Sequence, residues 1–102
     1  MISEVLTAVA DPTRRSILEQ LRLDGPRSIK EIAAPLPMSR QAVTKHLGAL
    51  ERAGLIRVEW AGRERLHRLV PTPLREVEDW LEPYAAFWDD RLERLKRHLE
   101  KK

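Results

Sequence analysis

The chain has 102 residues, 42% of them apolar, enough for one modest hydrophobic core. It has no cysteine, which excludes disulfides, thiolate metal sites and thiol redox switching together. The net charge is only +3, no apolar run approaches the ~20 residues that span a bilayer, and Met1-Ile2-Ser3-Glu4-Val5 lacks a basic-then-apolar leader, so a single cytoplasmic domain over residues 1–102 is expected.

Ile2, Val5, Leu6 and Val9 recur at helical spacing and predict a first helix over about 2–9, with Ser3 as candidate N-cap. Asp11-Pro12 then restarts the chain, since Asp at the N-cap with Pro at the first helical position is a favoured opening. Ile17, Leu18 and Leu21 give this second helix its apolar face, and Asp24-Gly25-Pro26 ends it. Ser28-Ile29-Lys30-Glu31 fits a capping box for a third helix that turns Ile29, Ile32, Ala33 and Leu36 inward. Pro35-Leu36-Pro37 breaks it by removing two amide donors.

Ser39 caps the fourth helix, expected over about 39–53. Val43, Leu47 and Leu50 lie on its core side and Arg40, Gln41, Thr44, Lys45 and Gly48 on the other, with Gly54 placed as a left-handed terminator. From Leu55 the period changes to two. Ile56, Val58 and Trp60 alternate with Arg57 and Glu59, Ala61-Gly62-Arg63-Glu64 reads as a turn, and Arg65 to Val70 returns, giving a hairpin over about 55–70. Thr72-Pro73 is expected to open the last helix as Asp11-Pro12 opens the second. Leu74, Val77, Leu81, Tyr84, Trp88, Leu92, Leu95 and Leu99 then follow at spacings of 3, 4, 3, 4, 4, 3 and 4, flanked by Trp80 and Phe87. A helix of about 26 residues is about 39 Å long, more than so small a core can cover, and a stripe longer than its core usually packs on another chain. Pro83 predicts either two consecutive helices or one bent helix over about 73–100.

The fold class is therefore mainly α with a small β-hairpin, a winged helix-turn-helix with terminal helices free for dimerisation. Charge follows the motif. Residues 39–73 carry seven basic groups (Arg40, Lys45, Arg52, Arg57, Arg63, Arg65, Arg68) against three acidic ones (Glu51, Glu59, Glu64), while 1–38 balance at five each and 74–102 carry seven basic and eight acidic. A local surplus of that kind suits a polyanion partner. In a major groove, Arg40 can pair with guanine or phosphate and Gln41 offers adenine both donor and acceptor. Thr44 is short enough for a base edge, Lys45 suits phosphate, and Ser39 stands beside the free amides of the helix N-terminus. Arg63 at the hairpin tip and Arg65 beside it suit a narrow minor groove, the plain alternative being a charged edge that blocks strand pairing. His46 adjoins the core side and is read as a partly buried, backbone-bonded histidine. No catalytic constellation, glycine-rich phosphate loop or histidine pair at metal spacing is present, and Asp89-Asp90 with His98 read as a solvated face. No catalytic residue, metal ligand or cofactor is assigned.

Asp11-Pro12-Thr13-Arg14-Arg15-Ser16-Ile17-Leu18, then Ser39 through Leu50, Ala53-Gly54-Leu55-Ile56, Gly62-Arg63 and the tail Trp80-Leu81 to Phe87-Trp88 resemble the ArsR family of bacterial winged-helix repressors, most of all its SdpR-type branch. The resemblance implies a homodimer built on the first and last helices, with an interface drawn from Ile2, Leu6, Leu81, Tyr84, Trp88, Leu92, Leu95 and Leu99. It also implies binding of double-stranded DNA at a palindromic operator near its own promoter. By position, Ser39, Arg40, Gln41, Thr44 and Lys45 match the reading helix and Arg63 the wing tip. The family's metal sensors carry Cys-x-Cys on the third helix, or Asp-x-His with a later His-x-x-His/Glu. Here the third helix lacks cysteine, His98 is followed by Lys101, and Pro37 replaces a glycine common in the turn. Two alternatives stay open at this level: a winged helix used only for protein contact, and a metal-responsive regulator. No effector is identified.

Overall fold

Side-chain oxygens start three of the helices, as the sequence leads one to expect. The structure is a computed structural model describing residues 2–100, apart from the side chains of Asp89, Asp90, Arg91, Leu92 and Leu95. The described elements are α1 (Ile2–Val9), α2 (Pro12–Asp24), α3 (Ile29–Ala33), α4 (Arg40–Arg52), β1 (Ile56–Ala61), β2 (Glu64–Leu69) and α5 (Leu74–Glu100). Asp11 accepts the Arg14 amide at 3.0 Å and Pro12 stands at the first position of α2. Ser28 and Glu31 form the complete capping box of α3, and Ser39 Oγ accepts the Ala42 amide at 3.1 Å to start α4. Ser3 does not cap α1, because that helix already begins at Ile2.

The C-terminus of α4 is closed by backbone. Gly54 has φ 77°, its amide reaches Glu51 O at 2.9 Å, and the next amide, from Leu55, reaches Leu50 O at 3.0 Å. That pair of bonds is a Schellman motif, and Leu50 and Leu55, the two residues it brings together, are both fully buried. The core collects around them: Val5 and Ala8 of α1, Ile17 and Leu21 of α2, Ile32 of α3, Val43, Leu47 and Leu50 of α4, and Leu55 and Ile56. Each large aliphatic in this set contributes roughly 1.5–3 kcal/mol by burial. Val9, Ile29, Ala33 and Leu36 are only half-buried, at the core's margin, and Ile2 and Leu6 are half-buried as well.

The antiparallel hairpin pairs Ile56 with Leu69 and Ala61 with Glu64, so Ala61 to Glu64 form the expected turn, with Gly62-Arg63 as its two-residue loop. Gly62, at φ 65°, supplies the positive φ that a two-residue loop needs at its first position. Trp60 departs from expectation. Ile56 is buried and Val58 half-buried, but Trp60 is 69% exposed, because β1 has run past the body of the domain by then. The hairpin is tied back at its other end: Arg27 bridges His67, with N–H···O bonds of 3.1 and 2.7 Å in the two directions.

Pro83 does not divide the last helix, for α5 runs unbroken over 27 residues. Pro83 is exposed, so the carbonyl it leaves without a donor, four residues earlier, faces a region open to water. Nor does Thr72 cap this helix. Entry is through tight backbone bonds, Leu74 to Pro71 O at 2.9 Å and Arg75 to Thr72 O at 3.0 Å. α5 packs on α1, yet none of its described side chains lies in the buried core and among them Val77 alone reaches its edge. The result is an elongated molecule of 60 × 31 × 25 Å.

Candidate nucleic-acid interface

α3, the proline-broken turn and α4 form the helix-turn-helix. α4 is sharply two-sided: Val43, Leu47 and Leu50 are buried, and Ser39, Arg40, Gln41, Thr44 and Lys45 are exposed together on the opposite face. Local bonding decides what each can offer. Ser39 Oγ is occupied as acceptor by the cap, leaving its hydroxyl proton to donate. The Thr44 hydroxyl donates to Arg40 O at 2.9 Å, so it presents lone pairs and a methyl rather than a donor. Arg40, Gln41 and Lys45 have no side-chain partner among the described residues.

On the hairpin, Glu59 sits 2.6 Å from Arg68 and 3.5 Å from Arg57. The hydrogen bond from Arg68 holds the Glu59 carboxyl below its ordinary value. Arg63 and Arg65 have no acid partner among the described residues and are exposed at the tip. Arg40, Lys45, Arg63 and Arg65 thus leave unneutralised charge on the outer face of α4 and at the hairpin's end, where the sequence places the DNA-directed groups. Trp60, opposite Arg65 in the register, is an exposed neighbour at the same end of the hairpin.

His46 finds a different partner from the expected one, and His67 takes the backbone bond instead. His46 is not backbone-bonded: its Nδ1 accepts from Arg14 Nε at 3.2 Å and lies 3.9 Å from Asp11 Oδ2. This joins α4 to the start of α2, where the Arg14 amide, ahead of His46, keeps the Asp11 carboxyl low. His67 is the histidine bonded to backbone, 6% exposed, with Nδ1 3.3 Å from Arg27 O, and its burial pushes the imidazole below its usual range. The signal in the sequence was its place in β2 between Leu66 and Arg68, inward by alternation. What it would meet there, the Arg27 backbone, was beyond local reading. Arg27 also donates to Gln20 Oε1 at 3.3 Å, and Gln20 to Ile32 O at 3.1 Å, so one polar chain links α2, α3 and the wing.

Of the dimer candidates, Ile2, Leu6 and Leu81 are half-buried, while Tyr84, Trp88 and Leu99 are about half exposed. Leu92 and Leu95 lie outside the described side chains. Trp80 and Tyr84 stack at 5.7 Å with planes tilted 57°. Among the described residues no group of three or more His, Cys, Asp or Glu converges as a metal site would require, and no described helix is long and apolar enough to cross a membrane.

A two-sided reading helix, its capped partner and a basic hairpin define a winged helix-turn-helix of the DNA-binding class. A family model described as a helix-turn-helix domain matches residues 9–59. The chain is 42% identical to the HTH-type transcriptional regulator Rv2034 of Mycobacterium tuberculosis, over 79% of this chain and 72% of that one. It is 30% identical to the transcriptional repressor SdpR of Bacillus subtilis, over 78% and 88%. An ArsR-like transcriptional regulator from Rhodococcus sp. RHA1 superposes with a TM-score of 0.72 at 37% identity, covering 99% of this chain and 94% of its own. The chain belongs to the ArsR family of helix-turn-helix transcriptional regulators.

Proposed function

We propose that this protein is a homodimeric repressor, acting in the cytoplasm, that binds a palindromic operator through α4 in the major groove with the wing along the adjacent minor groove. The observation that carries the reading is the exposed row Ser39, Arg40, Gln41, Thr44 and Lys45, standing opposite the buried Val43, Leu47 and Leu50 on one helix. Arg40 and Gln41 read base edges, Thr44 meets a base as acceptor or by its methyl, and Ser39 and Lys45 hold phosphate. Arg63 and Arg65 supply the wing's minor-groove contacts. The name of SdpR, a transcriptional repressor, supports repression as the outcome.

Dimerisation follows from α5, which shows Tyr84, Trp88 and Leu99 to solvent and packs on α1, where Ile2 and Leu6 are half-buried. The whole chain of residues 1–102 then acts as one winged domain, with terminal helices that hold two reading helices at a fixed separation. Selection of bound duplexes from a random pool tests both parts. A two-fold symmetric motif with half-sites about 34 Å apart is expected. A bound motif without symmetry overturns the dimeric reading, and no enrichment at low salt overturns DNA recognition altogether.

A further inference from the structure

The last turns of α4, with α1 and the start of α2, enclose an open cleft of about 450 Å3. Ser3 and Thr7 of α1, Arg14 of α2 and Arg52 of α4 line it, with Glu4 at one side and Ala49 on the wall. Neither guanidinium has an acid partner within ion-pair distance among the described residues. Arg14 uses Nε on His46 and Nη1 on Thr7 O, at 3.2 and 3.5 Å, which leaves its other amino group uncommitted.

Gly48, one turn before Arg52 on α4, lies beside its guanidinium. A glycine inside a helix costs about 1 kcal/mol against alanine. Here a Cβ at position 48 would stand 3.3 Å from Arg52 Nη1, close enough that an alanine would press the guanidinium aside by a few tenths of an ångström. Two arginines and one glutamate leave the cleft with one surplus positive charge, and small-ligand sites run from roughly 300 to 1,000 Å3.

We propose that this cleft binds a small organic monocarboxylate, its charged end between Arg14 and Arg52 and its short apolar body against the alanine surface. Arg14 is also the residue that holds His46, next to Lys45 on α4. A carboxylate that draws the Arg14 guanidinium toward itself competes with that bond, so occupancy is transmitted to the reading helix and changes operator affinity.

Titration of the full chain with sodium benzoate and sodium butyrate, followed by amide spectra at constant pH against sodium chloride as the ionic control, tests the site without DNA. Saturating shifts at Thr7, Ala49 and Ala53 are expected with the carboxylates and not with chloride. Arg52→Ala should weaken binding about tenfold or more. Gly48→Ala, which crowds the same guanidinium while favouring the helix, should weaken it in the same direction but by less. No saturable shift at tens of millimolar, or equal binding by Arg52→Ala and the parent chain, overturns the site. Operator affinity measured with and without saturating benzoate tests the coupling: an unchanged value overturns that part. Failure to bind any duplex overturns the proposed function and leaves the cleft result standing.

Discussion

Arg40 stands exposed at the first position of α4 with nothing in the protein to hold it, so its guanidinium can be lost without disturbing the fold. Arg40→Ala should weaken operator binding by about 1–3 kcal/mol and relax base preference at one position of each half-site. Band-shift titration and sedimentation of the variant check it, with dimer mass expected to be unchanged. His67 gives a different kind of prediction. Its imidazole lies below the ordinary value of 6.5, mainly through burial, with Arg65 adding to the shift and the Arg27 carbonyl and Glu51 opposing it. The unfolded chain therefore binds that proton more readily than the folded one, and stability rises with pH across the window between the two values. Acidification from pH 7.5 toward 5.5 should lower the urea midpoint, and His67→Gln should flatten that dependence. Asp11, Glu31 and Glu59 are shifted down as well, so their contributions persist to lower pH and fade only as it falls below their ordinary values of 3.8 to 4.5. At this scale the sequence showed which side of α4 each residue faces, since period and polarity settle that locally. It did not show that His46 meets Arg14, 32 positions away, because such partners are chosen by packing.

Element boundaries were legible wherever a single side chain creates them. Asp11, Ser28 and Ser39 start helices by accepting an amide three residues on, an interaction fully contained in a four-residue window. Ser28→Ala removes the bond that the Glu31 amide gives to Ser28 Oγ, and the one Ser28 Oγ gives to the Glu31 carboxylate, and should cost about 1 kcal/mol, read as a lower urea midpoint with an unchanged slope. Gly54→Ala should cost a similar roughly 1–2 kcal/mol, because φ 77° places its Cβ against the following carbonyl. Pro83 and Trp60 mark where local reading stops. Whether a proline breaks a helix depends on whether the orphaned carbonyl finds water, and α5 is exposed there. Whether an alternating tryptophan is inside depends on how far the strand extends past its neighbours, which is a property of the assembled domain. Trp60 follows the inward period of β1 and is nevertheless out in solvent.

At the scale of the whole molecule, the decisive imbalance is between α5 and the core it accompanies. A 27-residue helix is about 40 Å long, yet none of its described side chains enters the buried set, and Trp80, Tyr84, Phe87 and Trp88 are about half exposed or more. Such an apolar surface is costly to leave in water, and burying it against a second copy also solves a problem of recognition. One reading helix makes too few contacts for tight binding, whereas two held rigidly bind as one, the second arriving at high effective concentration. The seam and the reading face should therefore be separable by mutation. Leu81→Glu with Trp88→Glu places two charges on α5, far from Arg40 and Gln41 in the chain and absent from the core. Sedimentation should then report one chain rather than two, while circular dichroism keeps the helical content of the parent. The monomer should retain weak, salt-sensitive attraction to any duplex through Lys45, Arg63 and Arg65, but lose preference for the full operator over a single half-site. If the doubly charged variant still sediments as two chains, the pairing surface lies elsewhere; if it becomes monomeric yet binds the intact operator as tightly as before, each reading helix acts alone and the fixed spacing between them is irrelevant to recognition.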